Sequence, residues 1–252
     1  MAFDVAADAY DRFMGRYSRL LAPQLADFAA VRAGQRAVDV GSGPGALTGE
    51  LVRRLGADAV SAVDPSASFI AAAGARHPGV TVRQASAEEL PFADAAFDVA
   101  IAQLVVHFMT DPLRGIGEMR RVTRPGGTVA ACVWDLAGGR APISLFWSAV
   151  RELHGEVVDE SELPGVRRGH LGELFVAAGM RDVIETELSV SLEHPTFEEW
   201  WAPYAEGVGP AGAYLARLEP SRRDEVRDGC RARLPDAPFT LTAVAWAATG
   251  LA

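Results

Sequence analysis

The chain has 252 residues, 49% of them hydrophobic, and a formal net charge of -9. This length and composition suit one large folded domain and exclude a disordered chain, and the negative charge argues against a general nucleic-acid-binding surface. All 24 basic residues are Arg, and the absence of Lys and Asn excludes a pyridoxal Schiff base, a Walker lysine and an N-glycosylation acceptor.

The start of the chain and its cysteines favour a cytoplasmic protein. Acidic residues occupy the first segment, where a secretory signal would need a basic region. The uncharged run at residues 239–252 is too short to cross a bilayer as a helix. Cys132 and Cys230 lack metal-ligand spacing, so we expect two buried, reduced thiols and no metal site. We therefore expect a soluble cytoplasmic protein without membrane insertion.

The first half of the chain alternates between strand and helix patterns. Residues 4–31 have aromatic and Leu residues at helical spacing, with Pro23 expected early in a second helix. Strands are expected at residues 36–40, 59–63, 80–84, 97–103 and 128–134. Asp111 and Pro112 are expected to cap and begin the helix before the fifth strand. Five alternations of this kind predict a parallel sheet covered on both faces.

The pattern changes after the fifth strand. Residues 142–180 are expected to be mainly helical. Residues 182–192 and 239–249 alternate in the manner of strands, so we expect them to form a closing antiparallel pair. Residues 194–238, which lie between these strands, are expected to form a helical insertion over one rim of the sheet.

A glycine loop joins the first strand to the next helix. Gly41, Gly43 and Gly45 alternate there, and exposed backbone N–H groups at a helix N-terminus would suit a nucleotide-type cofactor. Read as Gly41-x-Gly43-x-x-Ala46, the loop fits a relaxed dinucleotide fingerprint, and Asp64 lies where a ribose-binding acid is expected. The loop alone is therefore compatible with a nicotinamide cofactor.

Three details favour a different cofactor. Asp39 lies two residues before the first glycine, and Pro44 stiffens the loop. Two further groups, residues 86–88 (Ser-Ala-Glu) and Gln103, follow the ends of the third strand and the fourth. Four successive strand ends thus carry candidate ligands.

Around these strand ends the chain resembles the class I S-adenosylmethionine-dependent methyltransferases, notably the subgroup with small-molecule and quinone-type acceptors. The segments that carry the resemblance are VDVGSGPG at 38–45, AVDPS at 62–66, QASAEELPFADAAFDVAIAQ at 84–103 and RVTRPGGTVAACVWD at 121–135. The resemblance covers roughly residues 5–135. It implies an α/β fold with a Rossmann-like seven-stranded sheet whose last strand is antiparallel, and with helices on both faces.

The resemblance also implies a division of the chain. Residues 1–35 would form N-terminal lid helices, and residues 36–135 would form the cofactor-binding α/β core. Residues 136–252 would complete the same domain, with acceptor-pocket helices at about 136–180 and 194–238 and with the closing strands.

Contacts with S-adenosyl-L-methionine follow from the resemblance position by position. Gly41, Ser42 and Gly43 would face the methionine part of the cofactor through their backbone, because only small residues permit such close approach. Asp64 would accept both ribose hydroxyls, since the two oxygens of a carboxylate suit a vicinal diol.

The remaining implied contacts lie at the adenine and sulfonium ends. Ala87 would offer its N–H to an adenine ring nitrogen. Many relatives have Asp just before this alanine to take the adenine amino group, whereas this chain has Ser86, with Glu88 as an alternative. Gln103 would lie beneath the methionine and sulfonium region. The aromatic set Tyr10, Phe13 and Tyr17 resembles the family's lid helix over the cofactor, with Tyr17 as the better candidate, although an ordinary helix stripe packed on the sheet explains the set equally well.

Methyl transfer from a sulfonium is an in-line displacement, so positioning is the main task of the protein and no metal is required. A base is needed only if the acceptor must lose a proton. His107, four residues beyond Gln103, is the first candidate for that catalytic role, ahead of Asp135 and His170. The acceptor would be a small molecule, apolar or aromatic, methylated at O, N or C in small-molecule biosynthesis.

The sequence leaves two other functions open. The first is a cofactor-binding protein of this fold that does not transfer methyl, such as a sensor, a partner subunit or a catalyst of another reaction. The second is an NAD-dependent oxidoreductase, which the groups at Ser86 and Gln103 and the lack of a Tyr-x-x-x-Lys pair disfavour.

Overall fold

A seven-stranded sheet organises the computed structural model, which describes residues 7–155, 157–236 and 238–252. Its strands are β1 Ala37–Val40, β2 Val60–Asp64, β3 Thr81–Gln84, β4 Phe97–Gln103, β5 Thr123–Trp134, β6 Arg181–His194 and β7 Phe239–Leu251. They lie in the order β3-β2-β1-β4-β5-β7-β6. Strands β1 to β5 pair in parallel, and β7 runs antiparallel to both β5 and β6. The predicted Rossmann-like sheet with an antiparallel last strand is confirmed.

Helices precede, connect and follow these strands. They are α1 Ala7–Arg12, α2 Met14–Phe28, α3 Ala46–Leu55, α4 Ala67–Arg76, α5 Pro112–Val122, α6 Ser144–His154, α7 His170–Ala177, α8 Phe197–Ala205, α9 Gly209–Ala216 and α10 Pro220–Arg231. Every residue of β1 and β2 is buried, so both faces are covered at the centre of the sheet. Helices α8 to α10 are the predicted insertion between β6 and β7. No helix among the described residues is long and apolar enough to cross a membrane.

Local chemistry explains where α5 begins. The Asp111 side chain accepts the N–H of Arg114, and Pro112 occupies the first turn, as the sequence predicts. The buried residues Ile116 and Met119 then lie one turn apart and face the sheet.

The N-terminal helices differ from the prediction. Pro23 lies inside α2 and not early in a second helix, because the break between the two helices falls at Phe13. Leu21 and Leu25 are fully buried on either side of Pro23. Their packing outweighs the one helical hydrogen bond that proline removes, so the helix continues through it.

Residues 142–180, which the sequence predicts to be mainly helical, also contain a loop. Between α6 and α7, residues 157–169 form no α-helix and carry only a 3₁₀ turn at Glu160–Glu162. This loop brings Glu160 to the interior, where 6% of the residue is exposed.

Ion pairs fasten the N-terminal helices to two sides of the molecule. On one side Arg76 of α4 contacts Asp11 at 2.5 Å and donates to the Pro44 carbonyl at 3.1 Å. On the other side Arg12 contacts Glu206 beyond α8 at 2.7 Å. Helix α1 therefore bridges the glycine-loop edge of the sheet and the helical insertion.

Candidate active site

The glycine loop after β1 is held against the end of β2. The N–H groups of Gly41 and Ser42 both donate to the Val63 carbonyl, at 2.8 and 2.9 Å. The N–H of Gly43 donates to Asp64 Oδ2 at 2.9 Å. The expectation of exposed N–H groups is therefore wrong for these three residues, because strand β2 already uses them.

The glycines of the loop serve different purposes. Gly41 and Gly45 both have left-handed backbones, and a Cβ would lie 2.5 Å from Val105 Cγ2 at Gly41 and 2.8 Å from the His77 ring at Gly45. Close packing requires glycine at both positions. Gly43 is also left-handed, with φ +53°, but a Cβ there would meet no atom within 4 Å. The loop thus borders open space at Gly43.

Asp64 lies beside this space and is 7% exposed. Its Oδ1 accepts the N–H of Ser66 at 2.8 Å while Oδ2 accepts that of Gly43. Burial raises the pKa of this carboxyl group, and the two backbone hydrogen bonds act in the opposite direction. A carboxylate oxygen can accept two hydrogen bonds, so both oxygens can still take a hydroxyl donor.

Tyr10 of α1 lies over this region. Its ring centroid is 5.4 Å from that of Phe69, which belongs to the helix that follows Asp64. Burial raises the pKa of Tyr10 to about 12, and the negative charge of Asp64 acts in the same direction. Tyr10 is therefore within electrostatic reach of Asp64.

Tyr17 lies elsewhere. Its hydroxyl contacts His194 Nε2 at 3.0 Å, and its ring meets Trp134 edge-on with a centroid separation of 6.2 Å. The residue is buried between α2 and the end of β6. The structure thus brings Tyr10 towards Asp64 and directs the hydroxyl of Tyr17 towards β6.

Asp39 anchors α3 to β1. It is 1% exposed, and Thr48 Oγ1 of α3 donates to its Oδ2 at 2.6 Å. Burial raises the pKa of Asp39 to about 7. Its Oδ1 has no hydrogen-bond partner in the described chain, so one buried oxygen beneath the loop stays unsatisfied.

Just beyond the end of β3, Ser86 is exposed and Ala87 is buried. Glu88 Oε1 accepts the N–H of Thr110 at 2.8 Å, in the turn that leads to α5. This contact gives Glu88 a role in holding that turn. Of the two residues considered for an adenine amino group, Ser86 is the one whose side chain is exposed.

At the fourth strand end, Gln103 is 9% exposed and donates from Nε2 to the Ser18 carbonyl of α2 at 3.1 Å. Its Oε1 has no partner in the described chain. Leu104, the next residue, has φ +62°, which is rare for a side chain of this size and indicates local backbone strain.

An apolar cavity adjoins this turn. Its apolar walls include Tyr10, Phe13, Leu104, Trp134, Ile143 and Val208. They come from the N-terminal helices, the ends of β4 and β5, the segment before α6 and the start of α9. Apart from Tyr10, the residues with ionisable side chains that line this cavity are His107 and Glu160. Its mainly apolar lining with a few polar groups is typical of a small-molecule site.

His107 is 5% exposed, and its Nδ1 has no hydrogen-bond partner in the described chain. Its ring centroid is 3.9 Å from that of Phe108. Burial lowers the pKa of His107 to about 3. The imidazole is therefore neutral at pH 7 and accepts a proton weakly, which argues against the general-base role predicted for it.

Glu160 was missed by the sequence reasoning, because it stands in an acidic run that reads as a solvated surface. Its Oε2 accepts the indole N–H of Trp147 at 2.9 Å. Burial raises the pKa of Glu160 to about 7, while the Trp147 hydrogen bond acts in the opposite direction. Glu160 thus titrates near neutral pH in the cavity wall.

The two weaker base candidates have structural partners. Asp135 accepts hydrogen bonds from Arg140 Nε at 2.5 Å and from the Trp246 indole at 3.0 Å. His170 Nδ1 accepts the N–H of Gly165 at 3.1 Å. Neither residue lines the cavity beside Leu104.

These features fit a cofactor with a ribose diol and a zwitterionic tail. The open space at Gly43 admits close approach, and the Asp64 carboxylate can accept further hydroxyl hydrogens. The unpartnered oxygens of Asp39 and Gln103 lie at neighbouring strand ends, on the edge of the sheet where ligands of open α/β folds bind.

Known proteins resemble this chain in sequence and in fold. Residues 38–131 match the family model described as a methyltransferase domain. An uncharacterized methyltransferase of Mycobacterium tuberculosis is 34% identical over 183 residues, which cover 73% of this chain and 69% of that protein. A malonyl-[acyl-carrier protein] O-methyltransferase of Erwinia billingiae is 37% identical over 128 residues, which cover 51% of this chain and 50% of that one. The chain thus spans about half the length of this second relative.

Among solved structures, the YcgJ protein of Bacillus subtilis superposes with a TM-score of 0.59 at 18% identity, over 94% of this chain and 98% of that one. This likeness shows the shared fold. The sheet order, the matched domain and the mycobacterial relative together establish that the chain belongs to the class I S-adenosylmethionine-dependent methyltransferases.

Proposed function

We propose that this methyltransferase methylates a small apolar or aromatic molecule at an O, N or C nucleophile, without a metal. The observation that carries the proposal is the apolar lining of the cavity next to Leu104. The cavity begins where β4 ends, one residue beyond Gln103, and its walls are mainly aromatic and aliphatic. A polar or macromolecular acceptor would gain little from such walls.

In this proposal the residues at the strand ends hold S-adenosylmethionine. Gly41, Ser42 and Gly43 face its methionine part through their carbonyl and Cα groups, because their N–H groups are already used. Asp64 accepts the ribose hydroxyls and Ala87 contacts the adenine. When bound, the cofactor supplies a methyl group on a positively charged sulfur that is a good leaving group.

Two of the proposed contacts are modified by the structure. Ser86 takes the adenine amino group in preference to Glu88, which holds the turn at Thr110. Tyr10 and Tyr17 both belong to the aromatic set of the predicted lid, and Tyr10 is the one that lies within electrostatic reach of Asp64. Gln103 supports the site from beneath, where its hydrogen bond to α2 couples β4 to the lid.

The other residues of the cavity act by positioning. Leu104 and Trp134 are buried and exclude water from the place where the acceptor would lie. Phe13 and Val208 are also buried, and they close the cavity from the sides of the lid and the insertion. Orientation of this kind can account for a large part of the barrier lowering in group transfer.

Two experiments test the proposal. Calorimetric titration should show binding of S-adenosylmethionine and S-adenosylhomocysteine and none of NADH. Incubation with methyl-labelled S-adenosylmethionine and a panel of apolar phenols, amines and quinols, followed by solvent extraction, should then give labelled product. Binding of NADH alone contradicts the cofactor assignment. Labelling confined to protein or nucleic acid contradicts the small-molecule acceptor.

A further inference from the structure

The cavity beside Leu104 is apolar except at a few points, and Glu160 is the residue there that carries a full negative charge when ionised. The carboxyl group is presented by a 3₁₀ turn and is held in place by the indole of Trp147, 2.9 Å from Oε2. Trp147 is buried in α6, so the position of Glu160 is fixed by the core. One indole N–H uses only part of the hydrogen-bonding capacity of a carboxylate.

The charged surroundings of Glu160 are unusual for a buried acid. Its neighbour Asp159 raises the pKa of Glu160 further and is itself paired with Arg151. Tyr204 is also within electrostatic reach. Among the described residues that line the cavity there is no Arg, and His107 is neutral at pH 7. The lining thus provides no cation to offset the charge of Glu160 or that of an anionic ligand.

We propose that Glu160 accepts a hydrogen bond from an O–H or N–H group of the methyl acceptor and takes its proton during methylation. The acceptor class is therefore neutral, apolar molecules that carry such a group, and carboxylates and phosphates are excluded. This inference rests on the proposed function and deepens it. The X–H bond of the acceptor breaks, the proton moves to the Glu160 carboxylate, and the electron pair stays on X. X becomes bonded to the methyl carbon as the bond between that carbon and sulfur breaks, and the electron pair of that bond goes to sulfur, so that neutral S-adenosylhomocysteine is the leaving group.

The titration of the two polar residues agrees with this division of roles. A base is most effective when its pKa lies near the working pH, which holds for Glu160 with a pKa raised to about 7. The pKa of His107 is lowered to about 3, so its ring is suited to hydrogen bonding and not to holding a proton. Its unpartnered Nδ1 provides a second point for orienting the acceptor.

A set of three naphthalene compounds tests the proposal through binding alone. The protein saturated with S-adenosylhomocysteine is titrated with 2-naphthol, naphthalene and 2-naphthoate at pH 8.0 and pH 5.5, with tryptophan fluorescence as the readout. At pH 8.0 we expect 2-naphthol to bind at least tenfold more tightly than naphthalene, and 2-naphthoate to bind more weakly than naphthalene. At pH 5.5 protonation of Glu160 should reduce both differences.

Glu160→Gln and Glu162→Gln form a matched pair for the same titrations. Gln keeps an acceptor for Trp147, so the first variant should fold, and calorimetry with S-adenosylhomocysteine verifies this. Its preferences should no longer change between the two pH values. Glu162 is exposed in the same turn, and its variant should behave as the wild type does.

The outcomes separate this proposal from the proposed function. Equal binding of 2-naphthol and naphthalene by the wild type overturns the role of Glu160, yet leaves an apolar acceptor cavity in place. The same pH-dependent preference in Glu160→Gln also overturns it. Failure of all three compounds to bind contradicts the cavity as an acceptor site, and with it the proposed function and this inference.

Discussion

Asp64 Oδ2 accepts the N–H of Gly43 at 2.9 Å, so the acid at the end of β2 holds the glycine loop at the end of β1. The other oxygen accepts the N–H of Ser66 and fixes the start of α4. One buried carboxylate therefore joins two strand ends and a helix. In the proposed site the same group receives the ribose hydroxyls, which couples the position of the loop to cofactor binding.

Replacement of Asp64 by Ala should weaken the binding of S-adenosylhomocysteine by about 1.5–3 kcal/mol, since hydrogen bonds to a charged group are lost. This corresponds to a dissociation constant roughly 10 to 150 times larger. Calorimetric titration measures the change. Asp58→Ala removes an exposed acid near the start of the same strand and should leave the affinity unaltered. Equal affinity of Asp64→Ala and the wild type would remove Asp64 from the site.

The open space at Gly43 leads to a second prediction. Gly43→Ala should destabilise the protein by only about 1 kcal/mol, the cost of a side chain in a left-handed backbone. Its new methyl group should nevertheless weaken the binding of S-adenosylhomocysteine at least tenfold, because the methyl group fills the space beside Asp64. Gly41→Ala should be less stable than Gly43→Ala, since its Cβ would lie 2.5 Å from Val105.

Gly34 provides the control for this pair of substitutions. It has φ +89°, a Cβ there would meet no atom within 4 Å, and it precedes β1 at the opposite edge of the sheet. Gly34→Ala should therefore show a similar loss of stability in urea unfolding and no loss of cofactor affinity. If Gly43→Ala and Gly34→Ala bind S-adenosylhomocysteine equally well, the space at Gly43 is not part of the cofactor site.

The third prediction concerns His107, which the sequence favours as a base. Because burial lowers its pKa to about 3, its titration lies outside the range from pH 5 to pH 8. His107→Leu should raise the KM for the acceptor and leave the shape of the kcat–pH curve in that range unchanged. Loss of a titration between pH 5 and pH 8 in this variant would restore His107 as the catalytic base.

Much of the fold could be predicted from the sequence because its signals are local. The buried apolar run at residues 97–103 coincides with β4, and the cap at Asp111 lies where proline and aspartate place it. The seven-stranded sheet with an antiparallel last strand followed from the resemblance in the first half of the chain and from the alternating pattern near β6 and β7. Such patterns depend on neighbouring residues and survive without knowledge of tertiary contacts.

The site was less predictable because its decisive properties arise from tertiary packing. Glu160 stands among acids in the sequence, and its burial beside Trp147 arises only in the folded chain. Sequence spacing likewise could not distinguish Tyr10 from Tyr17, since the two lie almost two helical turns apart and the break at Phe13 turns the chain between them. The engaged N–H groups of the glycine loop depend on Val63 and Asp64, which belong to another strand.

The fourth prediction is a pH-dependent stability difference that Glu160 causes. Burial raises its pKa from 4.5 to about 7, so its stabilising contribution is complete below pH 4.5 and is lost as the pH rises through 7. The free energy of unfolding of Glu160→Gln, taken relative to that of the wild type, should therefore increase by up to about 3 kcal/mol between pH 4.5 and pH 7.5. Urea unfolding of the cofactor-free proteins measures this difference. Asp39, whose pKa is also raised to about 7, titrates in both proteins and cancels. Glu162→Gln should show no comparable gain, and a difference that stays constant with pH would mean that Glu160 is not a buried acid.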